Sequence, residues 1–149
     1  MTSVLTTERA PLSPSTGPVR PAHTRIAVAG CGVVGTALLQ LLNDKDAQFP
    51  HEIVSVFVRD PARPRDCAVS DRVITSALDD FLGCGAEIVV EAIGGLEPAK
   101  TIAEHTLSRG GTFITANKAL VAAFGAHLRE LAWKHGGTFR FDAAVGGGV

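Results

Sequence analysis

The sequence predicts an α/β fold: one doubly wound sheet of parallel strands with helices on both faces. Three observations carry that prediction. From Arg25 onward, short apolar runs alternate with segments of helical periodicity. The run Ala86-Glu-Ile-Val-Val-Glu91-Ala-Ile93 is apolar on both faces in its middle, as in a strand covered from both sides. Glycines cluster where strands should empty into helices, at 30–35 and at 94–95. Such alternation implies right-handed crossovers within one sheet.

The elements follow in order. Residues 1–24 hold Pro11, Pro14, Pro18 and Pro21 among Ser, Thr and Gly, which predicts a flexible N-terminal arm. The domain is expected over 25–149. Its first strand is Ile26 to Ala29. An amphipathic helix of about Val33 to Leu42 follows, with Val34, Ala37, Leu38, Leu41 and Leu42 at i, i+3, i+4, i+7 and i+8. Ile53 to Val58, rich in β-branched residues, is the second strand. A Pro/Arg-rich connection (Pro61, Arg63, Pro64, Arg65) leads to a short strand around Val73-Ile74, and Ser76 is placed to cap a helix Ala77 to Leu82.

Gly83 and Gly85 release the chain into the 86–93 strand. Glu97-Pro98 then opens a helix at a position where the missing proline N–H costs nothing. Ala99, Ile102, Ala103, Thr106 and Leu107 form one face of it, and Gly110-Gly111 stop it. Thr112 to Thr115 is a strand. Leu120, Phe124, His127, Leu128 and Leu131 mark a longer amphipathic helix, ended by Gly136-Gly137, and Thr138 to Ala143 is the last strand.

Composition bounds the function. At 149 residues the chain is one domain, able to bury about two-thirds of its unfolded surface. Hydrophobic residues at 46% and charged residues at 19% place it with globular proteins. A net charge of −1 offers no basic stripe for nucleic acid, and no apolar run approaches a membrane span. The first two dozen residues hold no signal-peptide block, so a cytoplasmic location is expected. Cys31, Cys67 and Cys84 lack CxxC spacing and read as reduced thiols. The five histidines form no HxH or HExxH pair, so they suggest no metal site.

Candidate chemistry lies at the carboxyl ends of the strands, where ligands bind in such sheets. The first feature is Gly30-Cys31-Gly32-Val33-Val34-Gly35, a GxGxxG turn between strand and amphipathic helix, the pattern of a Rossmann-type dinucleotide site. Gly30 allows the sharp turn, Gly32 clears the approach of a pyrophosphate, and Gly35 lets the helix pack on its strand. Free N–H groups and the positive helix end would then face the anion. The second is Arg59-Asp60, past the second strand, where the adenosine ribose should lie. Arginine there, with Arg63 and Arg65 following, favours the 2′-phosphate of NADP(H) over NAD(H); the alternative is a solvated charged loop. The third is Glu91-Ala-Ile93-Gly94-Gly95, whose glycines permit close approach near the nicotinamide; the alternative is a plain strand-to-helix turn in which Glu91 caps buried N–H groups. The fourth is Thr115-Ala116-Asn117-Lys118. Asn117 suits a helix cap, which puts Lys118 in the first helical turn, against the dipole. There it would meet a substrate oxygen or lie solvated on the surface.

Together these segments resemble the nucleotide-binding domain of homoserine dehydrogenase. The matching pieces are GCGVVG at 30–35, EAIGG at 91–95 with Pro98-Ala99, TANKAL at 115–120, and FDAAVGGGV at 141–149. The resemblance covers about Arg25 to Val149. It implies reduction of L-aspartate 4-semialdehyde to L-homoserine by NADH or NADPH, on the route to threonine and methionine. It implies that Lys118 lies by the nicotinamide and assists catalysis, and that Ile93 touches the cofactor. The closing segment is similar to the family's monovalent-cation loop, so Asp142, Val145, Gly147 and Val149 would offer oxygens to a sodium ion; Asp142 stands where glutamate is usual. In the family, the substrate and dimerisation domain follows where this chain stops. The expectation is therefore a cofactor-binding half with little turnover alone, completed by a separate substrate-domain chain or within a homo-oligomer. Alternatives are an aspartate dehydrogenase or aspartate-semialdehyde dehydrogenase on the same fold, and a non-catalytic nucleotide-binding fragment or split-enzyme subunit.

Overall fold

The computed structural model describes residues 23–44, 49–63 and 69–141. Its elements are β1 (Thr24–Ala29), α1 (Val33–Asn43), β2 (His51–Phe57), a 3₁₀ turn (Asp71–Val73), β3 (Ile74–Thr75), α2 (Leu78–Gly83), β4 (Ile88–Glu91), α3 (Ala99–Ser108), β5 (Thr112–Thr115), α4 (Lys118–His135) and β6 (Thr138–Arg140). All neighbouring strands are parallel, in the order β3-β2-β1-β4-β5-β6. The order reverses between β1 and β4. A crevice must open there at the carboxyl ends, because the connections leave β1 and β4 in opposite directions.

Alternate residues of the strands feed two separate cores. Ala27, Ala29, Phe57, Val89 and Phe113 meet α2, α3 and α4 on one face. Ile26, Val28, Val56 and Val58 meet Leu39 of α1 on the other. This is the period of two that a pleated strand imposes, and it gives the predicted doubly wound sheet.

Helix α3 buries Ala99, Ile102, Ala103, Thr106 and Leu107, the face read from the sequence. The Thr106 hydroxyl, buried with them, donates to the Ile102 carbonyl at 2.8 Å. Helix α4 begins under Asn117, whose side chain accepts from the Leu120 amide at 3.1 Å, and ends at left-handed Gly136. Both termini thus satisfy backbone groups that the helix itself cannot.

Four expectations are corrected. In α1 the residues turned inward are Gly35 and Leu39, with Leu38 and Leu42 at the margin, while Val34, Ala37 and Leu41 are exposed. Helix α2 is not capped by Ser76: Ala77 is its cap residue, and the Thr75 hydroxyl takes the Ala77 amide at 3.0 Å instead. Val73 belongs to the 3₁₀ turn, so the short strand is Ile74–Thr75. His127 is exposed rather than core, its Nε2 lying 2.9 Å from Glu104 Oε1 on α3. The predicted arm at 1–24 meets the description only at its end, where Thr24 already pairs in β1. Arg65, Cys67 and the stretch 142–149 lie outside the described residues. Among the described residues, Cys31 and Cys84 are free thiols and no helix is long and apolar enough to cross a membrane.

Candidate functional site

The glycine turn is assembled from main chain. The Gly30 amide donates to the Phe57 carbonyl at 2.9 Å, which ties the end of β1 to β2. Its φ of +106° is one that side chains resist, and a Cβ there would stand 2.7 Å from the Ala92 carbonyl oxygen of the neighbouring strand end. A Cβ on Gly35 would overlap the carbonyl oxygen of Gly30, so α1 packs backbone to backbone against the turn that launches it. At Gly32, by contrast, a Cβ would meet nothing within 4 Å. That glycine faces open space.

Gly32 is also the cap position of α1, and no side chain caps the helix there. No acidic residue lies in its first turn. The positive end of the α1 dipole and its unshared first amides are thus left for an anion from outside. The Thr36 amide, one turn in, closes the helix on the Gly32 carbonyl at 2.9 Å.

A cleft of about 370 Å³ opens in front of this turn. Gly30, Cys31, Gly32 and Thr36 form one wall, Ala92 and Ile93 another, and Phe57, Val58, Arg59 and Arg63 the third. Two guanidinium-bearing residues therefore share a cavity with the uncapped helix start. A larger hollow of about 640 Å³ lies at the other, amino-terminal edge, between α2 and α3. His105 and Arg109 line it, and burial first, then the Arg109 cation, hold the His105 imidazole below the ordinary value of 6.5.

Beyond β4 the rim is organised by Glu91, which is fully buried. Its Oε1 accepts the amides of Ile93 at 2.8 Å and Gly94 at 3.1 Å. Its Oε2 accepts the Thr115 hydroxyl. The Thr115 oxygen in turn accepts the Asn117 amide at 3.0 Å, and Asn117 Nδ2 donates to the Gly95 carbonyl at 2.6 Å. The residue read as an N–H cap does cap N–H groups, and it also joins the loop after β4 to the end of β5.

The predicted site residues divide accordingly. Gly30, Cys31, Gly32, Arg59 and Ile93 line the cleft. Gly35 supports it from beneath. Val33 and Val34, at the first turn of α1, are 90% and 56% exposed. Gly94 gives its amide to Glu91, and exposed Lys118 opens α4 on the same rim without lining the cleft. Asp142, Val145, Gly147 and Val149 are outside the described residues. Five wall residues were absent from the predicted site: Thr36, Phe57, Val58, Arg63 and Ala92, the last two within stretches already singled out. Thr36, whose hydroxyl lies 3.6 Å from the Cys31 sulfur, was readable as the polar residue directly after the glycine motif. Phe57 had no signal beyond its place in a strand.

The sequence pattern of the family described as homoserine dehydrogenase, NAD binding domain, matches residues 30–142. Homoserine dehydrogenase of Synechocystis sp. is 34% identical over 130 residues, covering 84% of this chain and 30% of the relative; that of Corynebacterium glutamicum is 32% identical over 130 residues, covering 83% and 29%. Among solved structures, Staphylococcus aureus homoserine dehydrogenase at pH 7.5 superposes with a TM-score of 0.74 at 29% identity, over 83% of this chain and 34% of that one. A hyperthermophilic archaeal homoserine dehydrogenase in complex with NADPH shares the fold, with a TM-score of 0.66 at 19% identity over 83% of this chain and 44% of that one. The chain spans about 30% of the length of the curated relatives it matches. It belongs to the family of homoserine dehydrogenase NAD binding domains.

Proposed function

We propose that this chain is the coenzyme-binding part of a homoserine dehydrogenase-type oxidoreductase and that it binds NADP(H) in preference to NAD(H). One observation carries the reading: the uncapped start of α1, bare at Gly32, shares its cleft with Arg59 and Arg63. The helix start receives the diphosphate on main-chain amides. The arginines, beyond β2, accept a 2′-phosphate through the planar fork that suits phosphate geometry. When bound, the nicotinamide supplies or takes a hydride, which in this family interconverts L-aspartate 4-semialdehyde and L-homoserine in threonine and methionine biosynthesis. Lys118, fixed at the first turn of α4, holds an ammonium toward the substrate oxygen.

The partner of this site is the small substrate, held by residues supplied from the remaining length of the relatives, in a linked domain, a separate chain or a homo-oligomer, in the cytoplasm. A sodium ion on Asp142, Val145, Gly147 and Val149 rests on the likeness of the closing segment. Turnover needs the aldehyde carbon fixed against the nicotinamide, and among the described residues no group lining the cleft is placed to do that. The 149-residue chain is therefore expected to bind coenzyme with little or no activity.

Calorimetric titration with NADPH and NADH tests the reading. NADPH should bind more tightly, and Arg59→Ala should cost about tenfold for NADPH and little for NADH. Failure of both coenzymes to bind the folded chain at millimolar concentration would overturn coenzyme binding. Equal affinity for the two would overturn the phosphate preference, and brisk homoserine-dependent reduction of NADP⁺ would overturn the expected inactivity.

A further inference from the structure

The loop after β4 has little reason to hold one shape. Gly94 and Gly95 adopt φ of +74° and +78°, and a Cβ at either would meet nothing within 4 Å. Packing does not confine them, and glycine has the widest conformational freedom of any residue. Yet three successive residues of the loop are tied. Glu91 takes the amides of Ile93 and Gly94, and Asn117 donates to the carbonyl of Gly95. The two tying residues are themselves linked through Thr115, whose hydroxyl donates to Glu91 and accepts the main-chain amide of Asn117.

Burying a carboxylate completely is costly unless hydrogen bonds offset the lost hydration. Two of the three side-chain bonds made by Glu91 go to the loop after β4 and the third to Thr115 at the end of β5. An apolar side chain would fill that space at lower cost, so the carboxylate serves those bonds rather than the packing. Asn117 likewise does two things with one amide group. Its oxygen caps α4 on the Leu120 amide, while its nitrogen reaches back to Gly95.

We propose that Glu91, Thr115 and Asn117 form a buried hydrogen-bonded strap that presets the Ile93–Gly95 loop, in register with the start of α4, to receive the nicotinamide half of the coenzyme. Glu91 and Asn117 are then positioning residues. They touch no ligand, but they fix the backbone that does. This rests on the proposed coenzyme site. With the adenosine end at Arg59 beyond β2, a dinucleotide lying across the β1/β4 reversal places its second nucleoside beside the loop after β4. Presetting saves the ordering cost that a glycine loop would otherwise incur on binding.

The test separates the two halves of the coenzyme. Calorimetry on the full chain compares NADPH with 2′-phospho-ADP-ribose, which keeps the diphosphate and 2′-phosphate but lacks the nicotinamide; emission of the reduced ring reports its immobilisation. In the unmodified chain NADPH should bind the more tightly. Glu91→Leu keeps a similar size but removes every acceptor that the Ile93 and Gly94 amides and the Thr115 hydroxyl use. It should weaken NADPH about tenfold, reduce its emission change on binding, and move 2′-phospho-ADP-ribose by less than about twofold. Asn117→Ser decides the matter should Glu91→Leu not fold, because serine still caps α4 but is too short for Gly95; the same split is expected. An equal loss for both probes, or no loss for either, would overturn the strap. So would an unmodified chain that binds the two probes equally, and that result would leave the coenzyme site standing. Binding of neither probe to the unmodified chain would overturn the site and the strap together.

Discussion

Helices α1 and α3 leave the sheet from equivalent places, the ends of β1 and β4, and both look amphipathic in sequence. They settle on it by different rules. Helix α3 turns inward the five residues its periodicity selects. Helix α1 turns inward Gly35 and Leu39, leaving Val33 90%, Val34 56% and Leu41 68% exposed. The cause is the contact of Gly35 with the Gly30 carbonyl oxygen, where a single added carbon would overlap. Once position 35 must face the turn, position 39 follows it one helical turn later, and the richer apolar stripe rotates outward. Hydrophobic burial orients α3. Close backbone approach orients α1, at the expense of burial. The helix that opens at the glycine turn is the one that departs from the packing rule.

The most forceful way to break the comparison is Gly35→Ala. Its methyl group meets backbone rather than a yielding side chain, so a loss of about 3 kcal/mol is expected, at the upper end of overpacking costs. NADPH binding should vanish with it. Urea denaturation and calorimetry check the two parts, and a near-neutral Gly35→Ala would show that α1 is not held by this contact.

The same substitution in both helices sharpens the contrast. Leu107 in α3 is 0% exposed and Leu41 in α1 is 68% exposed. Leu107→Ala should cost about 2–3 kcal/mol, a transfer plus cavity penalty. Leu41→Ala should cost under about 0.5 kcal/mol, as for open surface. Comparable losses in denaturation midpoints would mean that the exposed stripe of α1 is covered in solution.

The smallest effect lies at the far end of α3. Burial, and then Arg109, lower the pKa of His105 in the folded chain. The unfolded chain therefore binds the proton more readily. Stability from this group is present above the ordinary histidine value and is lost as pH falls through the lower folded one. Urea midpoints measured between about pH 5 and 7 should decline toward acid, and His105→Gln should flatten that portion of the decline. A decline that persists unchanged in His105→Gln would assign it to other groups.

Much of the molecule was legible because local chemistry decides it. β5 was read at its observed limits, Thr112–Thr115, since Gly110-Gly111 and Asn117 punctuate it on both sides. The cap at Asn117 and the exit at Gly136 follow from helix-end chemistry alone. The glycine turn showed itself by its place between strand and helix, and Arg59 and Ile93 line the cleft in front of it. What escaped was settled by partners that residue type and spacing do not report. His127 looked apolar by spacing but pairs with Glu104, 23 residues away. Ser76 suited a cap by type, yet the neighbouring Thr75 hydroxyl takes the amide. The link from Glu91 to Thr115 spans 24 residues, and no periodicity reports it.

The Gly30–Gly35 contact also bears on how such a site can change over generations. It is made by main chain on both sides, so it has no graded variants: any side chain at position 35 does not tune the turn but dislodges it. The exposed positions across the cleft, Arg59 and Arg63, lie on side chains rather than main chain and are under no such constraint from the Gly30–Gly35 contact.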